Sequence, residues 1–265
     1  MASRTRQKEE ARARRLAEER ARAEAAQRTR QIRLIGGVVL AAIAVVAVLV
    51  AISGGGGSGG GKGLQTGTGA SKTASSVHQL LAGIPQSGVT LGNPKAPITV
   101  TYYGDLECPI CRDFTLSGGW PQLVSNDVKS GKVKVVFRAF QTATRDPQTF
   151  QTQQVAALAA GKQNLFWDYA ELFYNEQGQE GSNYVNDSYL TSLAKQVPGL
   201  NLSTWQSDRN NQALVSQVQA DVQSGTSRGV QGTPTLVFQG PKGEASPSTG
   251  VPTYSDLQQA IKQVS

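Results

Sequence analysis

A chain of 265 residues has room for one good-sized domain plus appendages, and its 38 % hydrophobic content is compatible with a packed core. The net charge of +7 points to a polyanion partner until its position is considered, because residues 1–33 hold eleven Lys/Arg against five Glu. The rest of the chain carries only +1, which leaves no bulk attraction for nucleic acid.

From Ser3 to Gln31 the chain is almost entirely Arg, Glu, Ala and Gln, strong helix formers whose opposite charges can pair along a solvated surface. The same basic run could touch anionic inner-leaflet lipid. Leu34 to Ile52 follows with nineteen uncharged residues, and as a helix it spans about 28 Å, the thickness of a bilayer's hydrocarbon core. Eleven basic residues precede it and only Lys62 and Lys72 follow closely, so the positive-inside rule keeps the N-terminus cytoplasmic and exports everything after Ser53. A cleaved secretory signal is the competing reading. The apolar run exceeds the usual ~15 residues of such a signal and its basic leader is long, which favours a retained anchor.

Residues 53–76, opening with Gly54-Gly55-Gly56-Gly57-Ser58-Gly59-Gly60-Gly61, read as a flexible linker spanning roughly 25 Å, with the folded domain beginning at Val77. Ile98 to Tyr103 and Val133 to Phe140 are predicted strands, rich in β-branched and aromatic residues. Between them Pro109 to Val128 is predicted to contain a helix with Cys108 at the N-cap and Pro109 at N1, where a missing NH costs nothing. Residues 147–223 are helical in pattern: Phe166, Ala170 and Phe173, then Leu190, Leu193 and Val197, then Val215, Val218 and Val222 recur at helical spacing. Ser203 with Gln206 reads as a capping box, and three or four helices fit the stretch. Thr235 to Phe238 is a third strand. Thr253 caps a last helix that runs to Val264 and places Leu257, Ile261 and Val264 on one face.

The chemistry points to Cys108-Pro109-Ile110-Cys111. An N-cap sulfur faces unpaired backbone NH groups and the positive end of the helix dipole, which favour thiolate over thiol. Cys111, one turn along on the same face, is placed to attack a mixed disulfide on Cys108, so that Cys108 attacks and Cys111 resolves without metal or organic cofactor. The mechanism requires the Cys108 sulfur to be exposed. Zinc is disfavoured, since the chain has no further cysteine and a single histidine, His78, which reads as a surface or packing residue. A purely structural disulfide stays open, although so small a loop contributes little stability.

These residues resemble the DsbA-like branch of the thioredoxin superfamily, especially its membrane-anchored forms, over roughly Gln79 to Ser265. The resemblance is carried by Leu91-Gly92-Asn93-Pro94-Lys95-Ala96-Pro97, by Glu107-Cys108-Pro109-Ile110-Cys111 and by Phe137-Arg138-Ala139-Phe140. Phe166-Trp167 and Gly229-Val230-Gln231-Gly232-Thr233-Pro234-Thr235 complete it. It implies an α/β thioredoxin fold with an inserted helical domain, a Cys108-Cys111 disulfide in the oxidised form, and a cis-proline loop at Thr233-Pro234 on which an extended substrate aligns. It implies reduced exported polypeptides as substrates and a membrane-embedded reoxidising partner. The expected location is the cell membrane, single-pass, with the catalytic domain extracytoplasmic. Ile110 departs from the aromatic or histidine often found in similar proteins and supplies no charge to the thiolate. Asp105 and Glu107 would raise the Cys108 pKa if they approached the sulfur, unless they point to solvent, and Arg112 reads as an exposed helix residue. A reductase or isomerase direction and an anchored peptide-binding module or chaperone remain alternative readings.

Overall fold

In a computed structural model of the chain, the described residues are Leu64, 68–245 and 247–265, all within the unit Gly60–Ser265. The expected basic tail and membrane span lie outside the described residues, and among those described no helix is long and apolar enough to cross a membrane.

The frame is a mixed sheet in which Ile98–Gly104 (β3) lies between Val133–Ala139 (β4), parallel to it, and Thr235–Gly240 (β5), antiparallel to it. Short strands extend both sides: Gln86–Ser87 (β1) and Thr90–Leu91 (β2) beyond β4, with Gly243–Glu244 (β6) and Ser248–Thr249 (β7) on β5. Val133, Val135, Phe137 and Ala139 alternate inward along β4, the period-2 signature of a half-buried strand. β3 pairs on both sides and buries its last three residues consecutively. Because β3 and β5 are antiparallel, Tyr103 near the end of β3 faces Thr235 at the start of β5. The segments after β3 and before β5, which carry Cys108 and Pro234, therefore meet at one edge.

The chain enters this unit through a helix, Thr68–Leu81 (α1), which buries Ala70, Ala74, Val77 and Leu81. The linker expected up to residue 76 thus gives way to ordered structure at Thr68. Its four buried residues, one per helical turn, dock on another helix, and such docking rather than intrinsic propensity stabilises a short helix. The stretch 109–128, expected to contain a helix, holds more than one helical piece. Pro109–Ser117 (α2) ends at Gly118, whose backbone is extended (φ −81°, ψ −156°). Trp120–Gln122 (α3) then continues as a π-helical turn, Leu123–Val128. Gly119 donates its N–H to Pro252 O (2.9 Å) and presses on residues 253–257, an approach that a side chain would block.

The helical stretch contains five helices rather than three or four: Pro147–Gly161 (α4), Phe166–Asn175 (α5), Asp187–Ala194 (α6), Leu202–Asp208 (α7) and Gln212–Ser227 (α8). Asp146, Asn186, Asn201 and Asn211 cap four of them by accepting a backbone N–H from the first turn. Asn201, not Ser203, caps α7, because its side chain accepts the Thr204 N–H (2.9 Å). The last helix, Tyr254–Val264 (α9), is capped by Thr253 in a reciprocal box with Asp256. Behind the sheet, Tyr102, Phe114, Trp120, Phe137, Phe166 and Trp167 form one aromatic core, with Trp120 stacked on Trp167 at 4.9 Å.

Candidate active site

Gly104 ends β3, and the following four residues turn into α2 with Cys108 as N-cap in extended backbone (φ −72°, ψ 118°) and Pro109 in the first turn. The Cys108 sulfur accepts the Cys111 N–H (3.4 Å), and its thiol donates to Thr233 O (3.3 Å). Both cysteines are free thiols, so the site is described in its dithiol form. Thr233-Pro234 forms a cis peptide bond beside them, where the antiparallel register of β3 and β5 brings it. All four site residues expected from the sequence, Cys108, Cys111, Thr233 and Pro234, lie at this edge.

The two sulfurs differ in surroundings. Hydrogen bonding from the Cys111 side chain lowers the Cys108 pKa to about 6 against an opposing desolvation, with Thr233 and the backbone NH groups of Cys111 and Ile110 adding to it. Burial pushes the Cys111 thiol well above its usual range, and Cys108 adds to the shift. The pair therefore holds one easily formed thiolate and one reluctant one, as nucleophile and resolving group require.

Exposure departs from expectation. Cys108 is only 4 % exposed and Cys111 is fully buried, because the Thr233-Pro234 loop and the helix turn close over the sulfurs. The Thr233-Pro234 loop itself borders open space. Residues Arg228 to Thr235, with Val237, Glu244, Pro247, Thr249 and Gly250, line an open cavity of about 380 Å³ with apolar walls, while the neighbouring Ile110 side chain projects into solvent.

The two carboxylates before Cys108 have other partners. Asp105 is fully buried and neither approaches solvent nor figures among the influences on Cys108. It accepts the N–H groups of Thr142, Ala143 and Thr144 (2.9 Å each) and of Glu107 (3.1 Å). That nest fixes the 142–144 loop, and the Thr142 hydroxyl in turn hydrogen-bonds that of Thr233. Glu107 is nearly buried, and desolvation raises its pKa. Gln177 reaches from the helical region to donate to Leu106 O (2.7 Å) and Cys108 O (3.1 Å), tying the turn from behind. Thr142, Thr144 and Gln177 carried no signal in the sequence, because each acts through a contact made across the fold. Arg112 is exposed, as expected, and His78 lies on the surface with Nδ1 4.0 Å from Asp168.

A dithiol with one activated sulfur at a helix N-terminus, facing a cis-proline loop on a mixed sheet, defines a redox protein of the thioredoxin class. The family model described as Thioredoxin matches residues 85–263, and the chain belongs to that family as a thiol-disulfide oxidoreductase. It is 23 % identical over 173 residues to a probable disulfide bond formation protein D of Bacillus anthracis, covering 65 % of this chain and 76 % of the relative. The disulfide bond formation protein D of Bacillus subtilis is 27 % identical over 151 residues, 55 % of this chain and 65 % of its own. Among solved structures, oxidised BdbD from Bacillus subtilis superposes with a TM-score of 0.57 at 22 % identity, covering 68 % of this chain and 95 % of its own. DsbA of Chlamydia trachomatis gives 0.56 at 20 % identity over 66 % and 90 %. These likenesses establish the DsbA-like thioredoxin fold.

Proposed function

We propose that this chain is anchored in the cell membrane by Leu34 to Ile52, holds its catalytic domain outside the cytoplasm, and introduces disulfides into exported polypeptides. The observation that carries this reading is the asymmetry of the dithiol: Cys108 favours its thiolate near neutral pH, whereas burial keeps Cys111 protonated. A stabilised Cys108 thiolate stabilises the reduced form, and a protein whose reduced form is favoured gives its disulfide away. In that reaction a substrate thiolate attacks Cys108, a mixed disulfide forms and Cys111 departs. A second substrate thiol then attacks its partner sulfur in the mixed disulfide and releases Cys108. Thr233-Pro234 would align the substrate backbone, and a membrane-embedded partner would reoxidise the dithiol. The relatives named for disulfide bond formation support the direction.

Replacing Cys108 with Ser should abolish disulfide transfer to a reduced unfolded protein while leaving peptide binding intact. Full transfer by that variant would remove the mechanism and leave the chaperone reading. The potential against glutathione sets direction: a value above about −200 mV fits an oxidase, and one near about −270 mV a reductase.

A further inference from the structure

Over residues 68–265 the sequence holds fourteen Lys/Arg and fourteen Asp/Glu, a balance that conceals how the fold sorts them. Seven of the carboxylates, Asp105, Asp127, Asp168 and Asp221 among them, are buried, whereas no Lys or Arg is buried among the described residues. The surface is therefore cationic although the domain is not.

Much of the excess gathers at one end. Ile98 at the start of β3 pairs with Val133 at the start of β4, and Thr99 pairs with Gln239 near the end of β5. The segments before β3, before β4 and after β5 thus meet at the edge of the sheet opposite Cys108 and Pro234. That edge carries Lys95, Lys129, Lys132, Lys134 and Lys242. The last turn of α9 brings Lys262 to it, since Lys242 donates its N–H to Val264 O (3.1 Å). All but the half-buried Lys134 are exposed. The length of β3 puts this pole about 20 Å from the dithiol edge, where Arg112 and Arg145 are matched by Glu107, Asp113 and Asp146.

Little negative charge opposes the lysines. Asp127 beneath them is buried, accepts from the Tyr254 hydroxyl (3.0 Å) and Gln258 Nε2 (2.7 Å), and lies 3.5 Å from Lys132 Nζ. Glu244 is held by Arg228 at 3.0 Å, and Asp256 by Thr253 at the far end of α9. Lys134 Nζ donates to Pro94 O (2.8 Å), a neutral acceptor that leaves its charge in place. Lys132 and Lys262 flank an open cavity of about 520 Å³, to which Ser255 adds a hydroxyl and Gln259 an amide. Ammonium, hydroxyl and amide donors around an open hollow suit phosphate oxygens.

We propose that this lysine pole rests on the phosphate headgroups of the bilayer to which the domain is tethered, holding Cys108 and the Thr233-Pro234 loop on the side away from the membrane. The proposal rests on the anchored reading. Fifteen residues separate Ile52, the end of the apolar run, from α1, and even fully extended they reach only about 55 Å. A domain about 40 Å across on so short a tether stays near the headgroup layer, and that length allows either pole to face it. Lysines without an arginine suit a diffuse, exchangeable contact with an anionic layer rather than a bidentate grip on one ligand. Exported polypeptides then meet the dithiol from the solvent side. A contact of this kind releases readily, so the domain can roll over to a membrane-embedded partner.

All three tryptophans, Trp120, Trp167 and Trp205, lie in this domain, so energy transfer from them to dansyl-labelled lipid reports its approach to the bilayer. The full-length protein is reconstituted in vesicles of phosphatidylcholine alone or with about one-third phosphatidylglycerol. Transfer should be at least about twofold higher in the anionic vesicles at low salt, and the difference should vanish in about 0.5 M sodium chloride. Combining Lys129→Gln, Lys132→Gln and Lys262→Gln should cut that difference at least about threefold without changing the rate at which dithiothreitol reduces the protein. Combining Lys72→Gln, Lys162→Gln and Lys195→Gln, which removes the same charge elsewhere, should leave most of it. A soluble glycerol-phosphate polymer at equal phosphate concentration should not displace the domain, because the tether favours the lipid. Equal transfer in the two vesicle types, equal loss in the two variants, or displacement by the polymer, which would assign the pole to a polyanionic chain, overturns the lipid contact. Anchoring is scored apart: without it the protein fails to float with phosphatidylcholine vesicles in about 0.5 M salt, whereas loss of the lysine contact leaves flotation intact.

Discussion

At Cys108 the local sequence and the distant fold act on one atom. Pro109 and the helix that follows place the sulfur at an N-terminus, which the motif alone predicts. The Thr233 contact comes from 125 residues away, and only the family resemblance of residues 229–235, not any local spacing, announces it. Asp105 makes the same point more sharply: its type and position next to a redox motif suggest an electrostatic role, yet it serves as the anchor of the 142–144 loop. Asp105→Ala should therefore leave four backbone N–H groups without their acceptor and cost on the order of 2–3 kcal/mol in urea unfolding. An unchanged midpoint would contradict the anchoring role. The exposure expected for Cys108 failed for a related reason, since what covers a residue is contributed by segments remote in the chain.

Elements were legible where a periodic apolar face met a capping residue. Thr253 and the Leu257, Ile261 and Val264 face define α9 as expected, and Phe166, Ala170 and Phe173 lie buried along α5. Reading failed where tertiary contact overrode the local signal. α1 grows out of a Gly-rich segment because Ala70, Ala74, Val77 and Leu81 find a helix to pack on. In α8 the buried face runs through Leu214, Val218, Asp221 and Gly225, so of the valines expected at 215, 218 and 222 only Val218 is buried. Asp221 is drawn inward by Arg138, whose Nη1 donates to it at 2.7 Å, and by the Ala139 N–H at 3.2 Å. The break at Gly118-Gly119 is the clearest case. A Cβ at Gly119 would meet Leu257 Cδ1 and Tyr254 N at 2.7 Å, so Gly119→Ala should lower stability by about 1–3 kcal/mol in thermal unfolding, despite alanine's higher helix propensity. A stabilised variant would show that helix continuity, not close approach, limits this segment.

For the molecule as a whole, the dithiol links redox state, pH and stability. The folded Cys108 pKa is about 6 against an ordinary 9.0, so between these values the unfolded chain binds a proton that the native chain does not. The reduced protein should gain stability as pH rises through this window, by up to about 4 kcal/mol, and lose it as pH falls toward 6. Cys111, with a raised pKa, contributes in the opposite sense only above its ordinary value. Urea unfolding of the reduced protein and of Cys108→Ala at pH 6 and 8.5 isolates the effect, since other titrating groups cancel; equal pH slopes would refute it. The division between what the chain order carries and what the fold adds follows from range. Spacing, propensity and charge runs by themselves determined the redox pair, the main strands, the terminal helix and the charged tail before an apolar run, because each is set within one or two helical turns or one strand. The partners of Asp105, the burial of Cys108 and the docking of α1 were decided only in three dimensions, because each joins side chains whose proximity exists only once the sheet and helices have packed.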